Sequence, residues 1–554
     1  MTSSFCGGID NEAKQRGDFM STEQESTPDR GLPMMAKWDP ETLAAEKAAL
    51  MALEHETFGK RTLGYMKRTG PGLLQSAMTL GAGSAAASVM AGASFGYKLL
   101  WVQPLAMFLG VMMLAALGNV VLTTGERPYR AFGRESSRAL VFLWALGTIV
   151  ASVVWHFPQY GLAAGATREL VQTFVGVECA VKTADGSTSF TAAGYAVSFA
   201  IGLMILAINM AVVFNYGRGG RGIRLYEKFL RLIIALVILM FAVVFLSSLA
   251  KIDWTELGKG FIGYYGVPTT GDPTVDSKTW TQVLGMLGAA VGINMTFLYP
   301  YSLLAKGWGK EHRILSRWDL GMTMFLPFSV VTSLIIVAMA MTVYQGTDGV
   351  REGLQTLDAA KSLAGVLGER GGLLVFNLGL IGMTCGAIST HMVVCGFTLC
   401  EMLGFEYTTK RFRICAMTPA IGFFGVVISL PFWFPVFASA LCFTMLPIAY
   451  LLFLWLNNKR SYIGDAVGKG ASRFLFNAVL VIALTMAVVG AVIKVDQSVV
   501  RNPKVRSFFG VEETIGTTSD ALKTETVGTD DIGTEKNGPE ETGGESATGD
   551  ESET

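Results

Sequence analysis

The chain has 554 residues, of which 51% are hydrophobic and 16% charged, and its mean hydropathy is +0.44. Its 44 basic and 44 acidic residues cancel unevenly: residues 511–554 hold thirteen acids and two lysines, a net of −11, so residues 1–510 carry +11. A soluble multidomain protein is excluded, because windows of about 20 apolar residues recur at the length a bilayer requires. Among the seven cysteines no metal-site spacing occurs, and five of them (Cys385, Cys395, Cys400, Cys415, Cys442) lie in or near apolar runs, so no disulfide framework is implied.

In chain order, residues 1–38 are polar and without apolar period, which predicts disorder. Asp39-Pro40-Glu41 is a helix start, an N-cap followed by proline, and predicts a short cytosolic surface helix to about Phe58. The first apolar run begins near residue 71, too far in for a cleaved signal peptide. Eleven spans are predicted: 72–96, 99–122, 139–163, 191–214, 229–249, 281–304, 320–344, 372–400, 414–431, 436–456 and 474–493. From about Val495 the chain is rich in Gly, Thr, Glu and Asp, the composition of a solvated tail. The organisation expected is thus a cytosolic segment over 1–69, a transmembrane domain over 70–494 and an acidic tail over 495–554.

Every even-numbered span runs into a basic loop, for example Arg127, Arg130, Arg134 and Arg138 after the second and Arg218, Arg221, Arg224 and Lys228 after the fourth. The alternate loops are mixed or acidic. The rule that positive loops stay inside places the N-terminus in the cytoplasm of a plasma or inner membrane and the tail outside. Topology accounts for these arginines, so no nucleic-acid partner is inferred.

Two spans are interrupted. The first reads Gly81-Ala82-Gly83-Ser84 at its middle, and each glycine lowers helix stability by about 1 kcal/mol relative to alanine. The sixth carries Gly285, Gly288, Gly292, Asn294, Thr296 and Pro300. Unwound backbone survives at membrane depth only beside a cavity, water or an ion. Breaks at positions one and six of a ten-span core point to two inverted five-helix repeats, a LeuT-like all-α fold, with the site at their interface. Asn294-Met295-Thr296 matches a glycosylation sequon, but at this depth it is a false positive.

The run from Gly70-Pro71-Gly72 to Phe95-Gly96-Tyr97-Lys98-Leu99-Leu100-Trp101 resembles the first span of the NRAMP family of divalent-metal transporters. Leu287-Gly288-Ala289 resembles its sixth; Gly386-Ala387-Ile388-Ser389-Thr390 with Cys400 through Phe405 its eighth; Phe443 through Pro447 and Asn458-Lys459-Arg460 its tenth and the loop behind it. The likeness spans roughly 70–493. The departures matter as much. Where the family has Asp-Pro-Gly-Asn, this chain has Gly81-Ala82-Gly83-Ser84; where it has Met-Pro-His, this chain has Gly292-Ile293-Asn294. The family's metal carboxylate, amide and thioether thus become Gly81, Ser84 and Gly292, while Ala289 keeps the place whose carbonyl faces the metal. The third span lacks the family's acidic pair.

The residues alone say the same: no Asp or Glu lies inside any predicted span, although intramembrane carboxylates usually mark cation sites and proton relays. A bare divalent ion at a neutral midplane site costs tens of kcal/mol in a Born estimate. Magnesium dehydrates reluctantly and keeps several waters. Glycines remove bulk as well as ligands, so the cavity is expected to widen. Backbone at Gly81, Ala289 and Gly292, with Ser84, Asn294, Thr79 and Thr296, is the expected set facing a hydrated cation. Met78, Met286 and Met295 are expected as apolar filler, and losing sulfur at position 292 removes the ligand that favours transition metals. The pattern resembles the NRAMP-related magnesium transporter branch.

The expected function is therefore a transporter, not an enzyme, importing Mg2+ (Mn2+ second) as a largely hydrated ion without protons. It needs no resident cofactor, and its partners are the cation and the bilayer, with no obligate protein partner. His156 is the proton-path candidate, followed by His391. The alternatives are a proton-coupled Mn2+ or Fe2+ importer and a non-transporting receptor-like protein on the same scaffold.

Overall fold

The computed structural model describes Leu32 and residues 40–496, apart from Glu54, 183–187, 217, 219, 347–348, 352–353, 355–367, 406, 408, 429–434, 436–437 and 439–441. The expectations for residues 1–38 and for the acidic tail lie outside these.

Two short helices, α1 (Pro40–Leu53) and α2 (Phe58–Met66), replace the single one expected to Phe58. The first span is broken in two, α3 (Pro71–Thr79) and α4 (Ala82–Phe95). There follow α5 (Val102–Thr124), the short α6 (Pro128–Glu135) and α7 (Arg138–Val175). A two-stranded antiparallel hairpin, β1 (Ala180–Lys182) with β2 (Thr188–Phe190), lies in the connection between the third and fourth predicted spans and adds a little strand to an otherwise helical fold. Next come α8 (Ala192–Tyr216), α9 (Gly220–Ser248) and α10 (Trp254–Phe261). The sixth span is also broken, into α11 (Pro273–Ala290) and α12 (Ile293–Ala305). Then α13 (Arg313–Asp319) passes through a π turn (Leu320–Phe325) into α14 (Leu326–Thr342), and α15 covers Glu369–Met402.

The ninth span departs furthest from expectation: it is α16 (Thr409–Ala416) followed by a 3-10 stretch (Thr418–Val426). Pro419, in the first turn of that stretch, lacks the amide a continuous helix needs. The tenth span includes the helix α17 (Leu446–Asn458). The eleventh is α18 (Gly470–Val495). Among the described residues, seven stretches are long and apolar enough to cross a bilayer unaided, the broken sixth counted as one.

The core is centred on α12, every residue of which is buried. An aromatic ladder ties it to α7 and α15: Trp144 to Phe297 at 4.6 Å between centroids, Phe297 stacked on Tyr301 at 4.8 Å, and Tyr301 on Phe397 at 5.5 Å. Large apolar side chains such as Leu203, Leu239 and Phe474 are exposed on α8, α9 and α18, the surface that lipid covers.

One expectation needs correction. Several helices outrun the predicted windows and carry buried or half-buried carboxylates: Glu169 on α7, Glu227 on α9, Asp319 at the end of α13 and Glu401 on α15. Each has a partner that lets an apolar helix hold it. Asn377 donates to Glu169 at 3.1 Å, Lys306 meets Glu227 at 2.7 Å, and Tyr407 donates to Glu401 at 2.8 Å. Asp319 takes the Gly72 amide at 2.7 Å and the Gly70 amide at 3.4 Å, which caps the start of α3. Asp319→Ala leaves those buried amides unpaired, so it is expected to lower unfolding stability by about 1–3 kcal/mol, read as a shift in thermal midpoint in detergent.

Candidate functional site

Both interruptions are real and face each other. Between α3 and α4, Leu80 (φ −78°, ψ 72°) and Gly81 (φ −134°, ψ −168°) leave the helix; between α11 and α12, Val291 (φ −143°, ψ 115°) and Gly292 (φ −95°, ψ 163°) do the same. The four half-helix ends enclose one chamber. Its walls carry Thr79, Gly81, Ser84, Ala289, Gly292 and Asn294 from the expected set.

The amides that start the second halves are largely spoken for. Ala82 N–H donates to Gln159 Oε1 at 2.9 Å, Gly81 N–H to Ser84 Oγ at 3.2 Å, Gly292 N–H to Met295 Sδ at 3.3 Å and Met295 N–H to Asn294 Oδ1 at 3.0 Å. The C-terminal ends of α3 and α11 carry the negative pole of each helix dipole. The positive ends are thus largely masked by side chains, and the negative poles of α3 and α11 point at the breaks. That arrangement suits a cation.

Thr296 lies off the chamber. Its hydroxyl bonds to the Ile293 carbonyl and receives the Trp144 indole N–H at 2.8 Å, so it locks α12 to α7. The hydroxyl of Thr79 donates to the Ser76 carbonyl at 2.9 Å, leaving only its lone pairs to the chamber. His156 is also off the wall: it is fully buried, with Nδ1 3.0 Å from the Ser152 carbonyl. His391 is the histidine on the wall, and its ring stands 5.3 Å from that of His156. His391 Nδ1 and His156 Nε2 have no partner among the described residues. Met286 is buried elsewhere as filler, but Met78 and Met295 line the chamber.

Sequence reasoning missed Gln159 and gave Trp155 no role, yet both line the chamber. They are four residues apart on α7 and so share a face. Gln159 directly follows Pro158. Proline in the interior of α7 marks the place, because it removes a backbone donor there.

The expected widening does not follow simply. A Cβ at Gly81 would stand 2.9 Å from Gln159 Nε2 and 3.0 Å from Ala387 Cβ, and one at Gly292 would stand 2.8 Å from Asn294 Oδ1. One at Gly83 would overlap the Trp155 ring. Neighbouring side chains have filled what the small residues vacated. The chamber's empty volume, mouth included, is ≈ 330 Å³, but its inner part has room for only about two or three waters. Among the described residues no group of three or more His, Cys, Asp or Glu is placed to hold a metal.

Gln159→Leu keeps the bulk and removes the acceptor for Ala82 N–H. It is expected to cost about 1–3 kcal/mol, read as a lower thermal midpoint in detergent, with Gln159→Glu restoring the acceptor and part of the stability.

Residues 72–493 match the family described as natural resistance-associated macrophage protein-like, Nramp. The divalent metal cation transporter MntH of Brucella suis is 25% identical over 332 residues, a match that takes in 58% of this chain and 63% of that protein, under two thirds of its length. A crystal structure of the Eremococcus coleocola manganese transporter superposes with a TM-score of 0.61 at 15% identity, covering 85% of this chain and 92% of that one. Another, in complex with an aromatic bis-isothiourea substituted compound, gives 0.59 at 14%, covering 84% and 91%. These likenesses establish the fold, the LeuT-like arrangement of a polytopic membrane protein with broken first and sixth helices. With its family match running through nearly the whole transmembrane region, the chain belongs to the Nramp family.

Proposed function

We propose that this protein carries a divalent cation into the cell, Mg2+ in preference to Mn2+, with part of its water retained and without proton coupling. The observation that carries the reading is the chamber: two helix breaks meet there and no carboxylate is among its lining side chains. A neutral chamber cannot repay full dehydration of a divalent ion, whereas carbonyls, Ser84, Asn294 and Gln159 can bond to coordinated water. Space for about two or three waters implies that Mg2+ exchanges some of its shell for carbonyl oxygen here. With no acidic relay at the chamber, the driving force is the membrane potential, about 4.6 kcal/mol per 100 mV for two charges.

A second reading has its own support. The Met78 and Met295 thioethers on the wall are soft ligands of the kind transition metals favour, and the His391–His156 pair offers nitrogens for a proton route. That is a proton-coupled Mn2+ or Fe2+ importer. Proteoliposomes with a pH dye inside separate the two. Under the first reading, Mg2+ enters on imposing a potential, negative inside, and lumenal pH stays constant. Acidification in step with metal entry, lost in His391→Gln, overturns it. Growth rescue of a magnesium-uptake-deficient bacterium excludes the receptor-like alternative.

A further inference from the structure

A second, strongly charged cavity lies away from the chamber. It is framed by the end of α2, the start of α9 and the segment after α12, and has an empty volume of ≈ 630 Å³. Six cations line it: Lys67, Arg68, Arg224, Lys228, Arg231 and Lys306. Against them stand Glu46 and Glu227, an excess of four positive charges with His312 neutral. Loop topology accounts for basic residues on this face but not for their convergence on one concave space.

The cations fall into two groups. Lys306 and Arg231 are structural: Lys306 Nζ donates to Glu227 at 2.7 Å and to the Thr69 carbonyl at 2.8 Å, and Arg231 donates to the same carbonyl at 2.9 Å. Lys67 and Lys228 are exposed and have no ion-pair partner among the described residues, and Arg224 is exposed beside them. The charge on Lys67 and Lys228 is therefore not consumed by ion pairing within the described residues. Arg68 Nε is buried with no partner in the described structure, although the same guanidinium donates to the Gly64 carbonyl at 2.9 Å. Trp308 closes the floor beneath Lys306, 5.5 Å from its ammonium.

We propose that this cavity is a binding site for a phosphate-bearing anion, with Lys67, Arg224 and Lys228 as its principal contacts. Clustered ammonium and guanidinium groups in a recess between membrane helices match a phosphate in charge and geometry. The same chemistry serves a phospholipid headgroup or a free phosphate compound. The site does not depend on which ion the transporter carries.

The test uses the full chain with a chelator present, so that phosphate does not act by sequestering divalent ions. In one arm the unfolding midpoint is followed in neutral detergent as inorganic phosphate or pyrophosphate is added. In the other it is compared in vesicles of phosphatidylcholine and of phosphatidylcholine with phosphatidylglycerol. A ligand that binds only the folded state raises the midpoint. A rise in the first arm identifies a free anion, and a rise in the second alone identifies a lipid headgroup; either supports the site. In both cases K67Q/R224Q/K228Q is expected to weaken the response about a hundredfold. The control K410Q/R460Q/K469Q, which removes three exposed basic residues elsewhere, is expected to leave it intact. No response in either arm, or equal weakening in both triple variants, overturns the proposal. Should the first triple not fold, acylation of lysines on the unmodified protein decides: the anion must protect Lys67 and Lys228 and leave Lys410 reactive.

Discussion

Gly83→Val is expected to abolish most ion uptake while the protein still inserts and folds. Gly83 is the second residue of α4, and even a methyl group there would overlap the Trp155 ring on α7. Both residues line the chamber, so the conflict is resolved either by the indole swinging into the chamber or by α4 backing away from α7. Overpacking of this kind costs about 1–3 kcal/mol, which is about a tenfold to hundredfold loss of rate if it falls on the transport-competent state. Uptake in liposomes, with the thermal midpoint measured alongside, is the check. Trp155→Phe in the same chain shrinks the ring and is expected to recover part of the rate. A valine variant with normal uptake would mean that the wall formed by α4 and α7 plays no part in permeation.

The largest effect on stability is expected at the start of α3. Glu227→Ala leaves the Lys306 ammonium, whose side chain is 10% exposed, without its carboxylate at 2.7 Å. Breaking one side of a buried pair costs about 3–5 kcal/mol, because the remaining charge is left uncompensated. Gly70 is pressed against the same pair, so the loss is transmitted directly to the first turn of the broken helix. Lys306→Met alone should be comparably harmful, since it strands the buried Glu227. The double variant should lose less than the sum of the two, and additivity in thermal or denaturant unfolding would show the pair to be uncoupled.

These two sites differ in how far they could be foreseen. Glycines and serines in apolar spans were visible at residues 81–84 and 285–292, and both mark where the backbone leaves the helix. The reason is local: glycine stabilises a helix poorly whatever surrounds it. The partners of those breaks were not visible. Gln159, Trp155 and His391 reach the chamber from α7 and α15, and no spacing rule links residue 81 to residue 159. The Glu227–Lys306 pair likewise joins residues 79 apart in the chain. Carboxylates at span ends were placed outside the membrane helices because hydropathy counts charge and cannot see the lysine, amide or tyrosine that satisfies it.

Membrane character, the all-α polytopic fold, the two broken helices and the absence of a carboxylate at 81–84 and 289–294 all follow from residues read in order. Each depends on properties a short segment carries alone: hydropathy, helix propensity, side-chain charge. Where Thr296 points, which histidine meets the chamber, how Gln159 and Trp155 occupy the room left by Gly81 and Gly83, and the gathering of six cations into one recess depend on the folded chain. Packing sets them, because side chains distant in sequence compete for the same few ångströms of space.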